Sequence, residues 1–265
     1  MVKLFDSHAH LDDKRFDKDR DEVIEYSYEN GIKRIINVGA DVRSIHTSIE
    51  LARKYDFIFS SCGIHPHDAD TYDENVEKQL REIVKDHSTV AIGEIGLDYY
   101  YDNSPRDIQK DVYAKQIRLA GELGLPIIIH DRDAHKDCID ILRAEKTPEM
   151  TGVFHCYSGN AEMVKTIIAM GFYISFTGVI TFKNARKTLE SVAAVPLDRL
   201  LVETDCPYMS PEPNRGKRNI PDYVRFTAEK MAQIHKIDFD KLCAILWDNT
   251  HRLFNRLPNS PYMIK

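Results

Sequence analysis

Residues 126–130 read Pro126-Ile127-Ile128-Ile129-His130, which places three consecutive isoleucines between a proline and a histidine. An uninterrupted run of β-branched apolar residues favours a strand that is buried on both faces. The histidine stands directly at the carboxyl end of this run. The stretch therefore predicts a buried strand that ends in a polar, chemically competent side chain.

Seven more short runs of this kind occur along the chain, at intervals that leave room for a helix and two loops. The eight predicted strands are Lys3–Phe5 (running into the next histidines), Arg34–Val38, Phe57–Cys62, Val90–Ile95, Pro126–Ile129, Val153–Phe154, Tyr173–Phe176 and Leu200–Val202. Eight alternating βα units in about 250 residues predict an α/β protein with a TIM (β/α)8 barrel. A doubly wound parallel sheet is the alternative.

The segments between the strands have the periodicity of amphipathic helices, as in Asp73–Lys85, Ile108–Leu123 and Ala161–Met170. No linker or shift in composition divides the chain, so we expect a single domain over residues 1–265. Residues 238–256 predict a C-terminal helical tail on the barrel.

Composition narrows the class of protein. The 265 residues include 42 acidic and 36 basic side chains, a net charge of −6 with histidine neutral, which argues against coating duplex nucleic acid by bulk charge. The five cysteines form no CxxC pair, which argues against disulfides and a thiolate zinc site. No signal-peptide core and no apolar run of membrane-spanning length is present, so we expect a cytoplasmic protein.

Polar residues gather where the predicted strands end. These ends are His8-Ala9-His10, Gly63-Ile64-His65-Pro66-His67, Gly93-Glu94-Ile95-Gly96-Leu97-Asp98, His130-Asp131-Arg132-Asp133, His155-Cys156-Tyr157 and Glu203-Thr204-Asp205. In a (β/α)8 barrel the carboxyl ends of all strands meet at one rim, where such enzymes keep their sites. One strand-end histidine is commonly structural, but so many converging ends predict a functional site.

Metal binding is the chemistry that this set favours. His8 and His10 stand two apart on a strand and share a face, so both can reach one ion, and Asp6 is placed to orient an imidazole from behind. Glu94 lies between glycines, and a carboxylate can bridge two ions with its two oxygens. The candidate ligands are His8, His10, Glu94, His130, His155 and Asp205. Six ligands exceed the need of one tetrahedral ion and predict two divalent cations, with Zn, Mn, Mg, Ni or Co as candidates.

Two other segments suggest contacts to a substrate. The loop Pro211–Arg218 after the eighth strand is rich in cations and lies where barrels often bind phosphate, so Arg215 and Lys217 are candidate phosphate contacts. A solvated loop is an equal alternative. Tyr99-Tyr100-Tyr101 after the fourth strand could stack on bases or pack under the rim.

The strand-end motifs resemble those of the TatD family of metal-dependent deoxyribonucleases, in the same order and over nearly the whole chain. The resemblance implies an amidohydrolase-like TIM barrel, a two-metal site and hydrolysis of DNA phosphodiesters as a 3′–5′ exonuclease. It implies that His8 and His10 hold the first metal and that Glu94 lies between the two metals. His130 and His155 would hold the second metal, Asp205 would lie at the first metal beside the attacking water, and His65 would contact substrate.

The family pattern has two small departures here: Cys206 stands where Ser or Ala is also common, and Asn214 where His often precedes Arg-Gly-Lys. We therefore expect a metal-dependent hydrolase of ester bonds, with Asp205 and Glu94 catalytic. DNA strand ends would be its substrate, without a membrane or an obligate protein partner. The alternatives are a two-metal hydrolase of another ester or amide, such as a small molecule or a misacylated tRNA, and a non-catalytic metal-binding barrel.

Overall fold

The computed structural model describes residues 2–258 and has the predicted α/β barrel. Eight parallel strands are hydrogen-bonded in the order in which they follow one another along the chain. The strands are β1 (Leu4–Ala9), β2 (Ile32–Gly39), β3 (Ile58–Cys62), β4 (Thr89–Asp98), β5 (Ile127–Arg132), β6 (Gly152–Phe154), β7 (Tyr173–Phe176) and β8 (Leu200–Val202). This order, rather than the reversal of a doubly wound sheet, confirms the TIM-barrel prediction.

Helices follow the strands and cover the outside of the barrel. They are α1 (Arg20–Glu29), α2 (Val42–Lys54), α3 (Glu74–Ile83), α4 (Arg106–Leu123), α5 (His135–Glu145), α6 (Ala161–Ala169), α7 (Arg186–Ala194), α8 (Val224–His235) and α9 (Phe239–Leu253). None of the helices within residues 2–258 is long and apolar enough to cross a membrane.

The barrel closes through the backbone at the seam between β1 and β8. The His10 amide donates to the Cys206 carbonyl oxygen at 2.7 Å, and the Asp205 amide donates to the His8 carbonyl oxygen at 2.9 Å. A parallel bridge between Ala9 and Cys206 lies at the same point. The segment after β8 therefore lies beside the two histidines at the end of β1.

The opposite end of the barrel is plugged by apolar side chains. Trp247 and Phe254, in α9 and just after it, join a buried cluster with interior residues such as Phe5 and Ile128. The Asn249 side chain donates to the Leu200 carbonyl oxygen at 2.9 Å, which fixes α9 at the start of β8. The predicted tail 238–256 thus contains a helix that seals the amino-terminal end and leaves the carboxyl end for a site. Met1 and residues 259–265 of the predicted domain lie outside the described residues.

Candidate functional site

Glu94 lies at the centre of the carboxyl end of the barrel, and its side chain is almost fully buried, with 4% exposed. Its Oε1 lies 2.7 Å from His130 Nδ1 and 2.7 Å from His155 Nε2. Its Oε2 lies 3.4 Å from His8 Nε2 and 3.6 Å from His10 Nε2. The two oxygens of one carboxylate therefore face two different pairs of imidazoles.

Small residues on β4 make this central position possible. A Cβ atom added to Gly96 would collide with the carbonyl oxygen of His130, and one added to Gly93 would lie 2.6 Å from Ile128 Cβ. Both glycines also have positive φ angles, +149° and +156°. Only glycine lets β4 approach β5 this closely, so these positions bring Glu94 against His130.

Asp205 completes the group on the β1 side. Its Oδ1 lies 3.4 Å from His10 Nε2 and 3.9 Å from His8 Nε2. Asp205 has a φ of +56°, an uncommon conformation for a residue with a side chain. The seam hydrogen bond to His8 holds the backbone there and aims the carboxylate at the histidines.

The far nitrogens of two histidines are backed by acceptors, which fixes the direction of their lone pairs. His10 Nδ1 lies 3.0 Å from the Val38 carbonyl oxygen, and His130 Nε2 lies 3.1 Å from Asp98 Oδ2. His155 Nδ1 lies 3.4 Å from Glu203 Oε1, which is within ion-pair distance but without hydrogen-bond geometry. When each neutral ring protonates the backed nitrogen, its other nitrogen presents a lone pair to the Glu94 cluster.

Asp6 does not have the role that its place on β1 suggested. Its carboxylate accepts hydrogen bonds from the Thr204 amide at 2.8 Å, the Thr204 hydroxyl at 2.5 Å and the His8 amide at 3.4 Å. The register of β1 shifts between Asp6 and Ala9, so the simple alternation of faces fails. The expectation that Asp6 orients an imidazole was therefore wrong, and Asp6 instead ties β1 to the end of β8.

His65 lies in the same cluster but presents a proton rather than a lone pair. Its Nδ1 accepts a hydrogen bond from the His67 amide at 3.1 Å, and its Nε2 lies 3.5 Å from Glu94 Oε1. Burial and the charge of His130 lower the pKa of His65 to about 4, so the ring is neutral. A neutral ring that accepts at Nδ1 carries its proton on Nε2 and can donate it into the cleft.

The cluster holds several coupled charges. Burial raises the pKa of the Glu94 carboxyl, but the charge of His155 and the hydrogen bonds from His130 and His155 outweigh it and keep the pKa well below its usual range. Burial lowers the pKa of His10, but the hydrogen bond and charge of Asp205 raise it to about 9. The raised pKa shows that the site stabilises positive charge at the position of the imidazole protons.

The donor set fits divalent cations. The Nε2 atoms of His8 and His10 are 3.1 Å apart, and the Val38 contact leaves a lone pair on Nε2 of neutral His10. His8 Nδ1 is buried and has no hydrogen-bond partner among the described residues. Ligand atoms lie within 4.8 Å of one another in three overlapping groups: His8, His155 and Asp205; His8, His10 and Glu94; and His65, Glu94 and His130. Imidazole nitrogens and carboxylate oxygens are the ligands that Zn, Mn, Ni and Co accept.

The cleft above this cluster has two arms that share His130, Arg132, His155, Asp205 and Met209. The polar arm has a volume of about 440 Å³ and extends between the ends of β1 to β5. The apolar arm has a volume of about 230 Å³ and is lined by side chains that include Tyr157, Phe176 and Ile180. The arrangement offers one place for a charged, extended group and another for a small uncharged one.

The loop cations predicted from sequence lie away from these arms. Arg215 and Lys217 are exposed, and the Arg215 guanidinium packs over the Phe182 ring at 4.2 Å. Neither residue lines the two arms of the cleft. Their contact with phosphate stays a prediction.

Arg132 is the guanidinium that the sequence reasoning missed. It lines both arms and lies over the rings of Tyr100 and Tyr101 at 4.2 and 4.9 Å. Its position two residues after His130 on β5 was the available signal, because residues i and i+2 of a strand point to the same side. Tyr99 is half-buried, and its hydroxyl donates to Asp137 at 2.7 Å, whereas Tyr100 and Tyr101 are exposed.

Comparison with known proteins places this geometry in a family. The family model described as TatD related DNase matches residues 5–255. The chain is 46% identical over 251 residues to the uncharacterized metal-dependent hydrolase YabD of Bacillus subtilis, which covers 95% of this chain and 98% of that protein. It is 32% identical over 259 residues to the 3′-5′ ssDNA/RNA exonuclease TatD of Escherichia fergusonii, with 95% and 98% covered.

A solved structure agrees with these matches. The crystal structure of YJJV, a TatD homologue from Escherichia coli K12, superposes with a TM-score of 0.90 and 28% sequence identity, covering 96% of this chain and 98% of that one. The resemblance inferred from the strand-end motifs is confirmed, and the chain belongs to the TatD family of metal-dependent hydrolases.

Proposed function

We propose that this hydrolase binds two divalent metal ions that share the Glu94 carboxylate. The observation that carries the proposal is that Glu94 Oε2 faces His8 and His10 while Oε1 faces His130 and His155. Asp205 would complete the first set. A carboxylate whose two oxygens face different pairs of imidazoles could serve two neighbouring cations, and an isolated ion pair would not need four imidazoles.

Divalent ions in these positions would supply Lewis acidity, which activates water and offsets charge on the oxygens of a reacting ester. Asp205 would take the proton of the attacking water, because its carboxylate is half enclosed by His8 and His10 and remains ionised. His65 would donate its Nε2 proton to an oxygen of the substrate. Glu94 would hold the His8 and His10 pair and the His130 and His155 pair in fixed positions relative to each other.

We further propose that the bond cleaved is a phosphodiester of a nucleic acid, taken from a strand end in the 3′–5′ direction. The family description and the exonuclease of Escherichia fergusonii support this substrate. The polar arm supports it as well, because its lining includes Glu94, the imidazoles around it and the Arg132 guanidinium. Arg215 and Lys217 would then contact phosphates further along the strand.

The apolar arm favours a second candidate, a hydrolase of a small ester or amide or of a misacylated tRNA. At about 230 Å³ it is smaller than most pockets for drug-sized ligands, and it suits one uncharged group next to the reacting centre. A screen of oligonucleotides against small esters, amides and lactones, with each metal in turn, separates the two functions.

The mechanism is tested with Glu94→Gln, which keeps the size of the side chain and removes its charge. We expect cleavage of a single-stranded oligonucleotide to fall to background, with less metal bound per chain by elemental analysis. Glu190→Gln, an exposed glutamate on α7, is the matched control and should behave as the unaltered protein. Normal nuclease activity in Glu94→Gln would falsify the shared-metal mechanism.

A further inference from the structure

Three exposed tyrosines lie at the open end of the cleft. Exposed large apolar side chains within residues 2–258 are all tyrosines, and three of them, Tyr100, Tyr101 and Tyr208, follow strands that end at the Glu94 cluster. They are 60%, 53% and 45% exposed. Tyr101 and Tyr208 line the polar arm directly, and the rings of Tyr100 and Tyr101 meet edge to face at 4.9 Å.

An arginine guanidinium lies over the pair Tyr100 and Tyr101, and another lies over Tyr208. The Arg132 guanidinium lies over Tyr100 and Tyr101, and the Arg15 guanidinium lies 4.1 Å above the Tyr208 ring. Arg15 is fixed in turn by Asp13, whose carboxylate accepts hydrogen bonds from it at 2.9 Å. Guanidinium and phenol groups that are held in place present flat surfaces to a ligand. Such side chains lose little conformational entropy when the ligand binds.

The two groups lie on opposite sides of the barrel. Tyr100, Tyr101 and Arg132 belong to the ends of β4 and β5, whereas Arg15 and Tyr208 follow β1 and β8, which lie across the ring of eight strands. The Tyr101 ring contacts the His67 ring at 5.2 Å, and the Tyr208 ring faces the His10 ring at 6.2 Å. A chain that crosses the polar arm meets both groups and passes over Glu94 between them.

We propose that these five residues, the aromatic platform, bind a single-stranded polynucleotide by stacking on its unpaired bases. Every base has a flat π-face, and such stacking tolerates any sequence. A duplex keeps its bases stacked on one another and cannot offer them. The carboxylates of the polar arm also disfavour a purely electrostatic grip on phosphates, so the bases supply the affinity.

The inference rests on the proposed nuclease function, and the experiment separates the two. The metal-loaded protein is assayed on a single-stranded oligonucleotide and on bis(4-nitrophenyl) phosphate, which has no base. Tyr101→Leu and Tyr100→Leu should lower the ratio of kcat/KM on the oligonucleotide to that on the small ester by about 5- to 100-fold, mainly through KM. Tyr101→Phe and Tyr100→Phe keep the ring and should keep the ratio.

Two controls sharpen the result. Tyr26→Leu removes an exposed tyrosine on α1, outside the cleft, and should leave the ratio unchanged. An oligonucleotide with tetrahydrofuran linkers in place of its last two bases should be a poor substrate for the unaltered protein. With this oligonucleotide, Tyr101→Leu should cause no further loss of kcat/KM.

If the leucine variants keep the ratio while Arg132→Gln lowers it, the cleft binds phosphates and the stacking proposal fails. If the unaltered protein cleaves neither compound, the nuclease function itself fails.

Discussion

Asp98 fixes the position of the ring proton of His130. Its Oδ2 lies 3.1 Å from His130 Nε2 and 2.9 Å from His67 Nε2, and the side chain is fully buried. Burial raises the pKa of Asp98, but the hydrogen bonds from His130 and His67 outweigh it and hold the pKa below its usual range. An ionised acceptor at this place keeps the His130 proton on Nε2 and leaves Nδ1 for a ligand.

Asp98→Asn is predicted to weaken metal binding at the His130 side and to lower kcat/KM by about 10- to 100-fold. Both carboxylate oxygens accept hydrogen bonds, Oδ2 from the histidines and Oδ1 from the Tyr100 and Tyr101 amides, so the amide nitrogen of asparagine must face an N–H donor in either orientation. The measurement is metal affinity by competition with a chelator, beside activity. Asp102→Asn is the control, since Asp102 is an exposed residue in the following turn, paired with Arg106. Equal effects of the two substitutions would rule out the orienting role.

Metal binding is predicted to release protons. Without metal, His10 holds a proton because its pKa is raised to about 9, and the pKa values of His130 and His155 are raised as well. Histidine ligands bind a metal ion only when they are deprotonated. Metal affinity should therefore rise as the pH increases, up to a pH of about 9.

Calorimetry in two buffers of different ionisation enthalpy counts the released protons. His135→Gln is the control, because the pKa of His135 is also raised, by its hydrogen bond to Asp131, yet it is not a candidate ligand. Binding near pH 7 without proton release would contradict the prediction.

At the level of the elements, the strand cores were predictable, but the carboxyl ends of β4 and β5 were not. The predicted strand Val90–Ile95 extends in the structure to Thr89–Asp98, and Pro126–Ile129 becomes Ile127–Arg132. The added residues include Asp98 and Arg132, whose polarity hides the strand pattern. A site at strand ends therefore shortens the strands that sequence patterns indicate, because function replaces apolar residues there.

The clustering of the candidate ligands was accessible from the sequence because barrel topology alone gathers the strand ends. Contacts that depend on loops were not accessible. Arg15 reaches Tyr208 across the seam, and the position of Arg215 over Phe182 depends on how two loops pack. The ion-pair contact between His155 and Glu203 depends on the exact depth of β8 relative to β6, which periodicity does not specify.

Gly96→Ala is predicted to destabilise the protein and to impair the site together. The added Cβ would meet the backbone oxygen of His130, which cannot move without displacing β5, and φ would stay positive. We expect a loss of at least about 3 kcal/mol in the free energy of unfolding.

Gly124→Ala is the control at a helix end. It has a φ of +63° with no atom within 4 Å of the added Cβ, and it should cost only about 1–2 kcal/mol. Thermal unfolding separates the two, at about 2–4 °C per kcal/mol for a chain of this size. Similar melting temperatures would show that β4 and β5 can separate.

At the scale of the whole molecule, the net charge is −6, and acidic side chains also predominate in the polar arm. Among the described residues that line the polar arm are seven carboxylates and one guanidinium: Asp12, Asp13, Asp41, Asp68, Glu94, Asp98, Asp205 and Arg132. The expectation from composition, that the protein does not attract nucleic acid by bulk charge, stays a prediction, and the acidic lining of the polar arm is consistent with it. We expect bound metal to supply most of the positive charge that a phosphate would meet there.

Metal removal is therefore predicted to abolish oligonucleotide binding as well as cleavage. Fluorescence anisotropy with a cleavage-resistant, single-stranded oligonucleotide should report binding with Mn²⁺ and none after treatment with a chelator and dialysis. An uncharged nucleoside should be less sensitive to the same treatment. Unchanged oligonucleotide affinity in the metal-free protein would mean that the polar arm is not where the strand binds.

The hydrogen bonds between His8, His10, Asp205 and Cys206 join the first and last parts of the ring. During synthesis, His8 and His10 leave the ribosome nearly 200 residues before Asp205 does. A nascent or truncated chain that ends before Asp205 would therefore lack one member of the proposed ligand set. We expect the metal site to be completed only after about three quarters of the chain has been made.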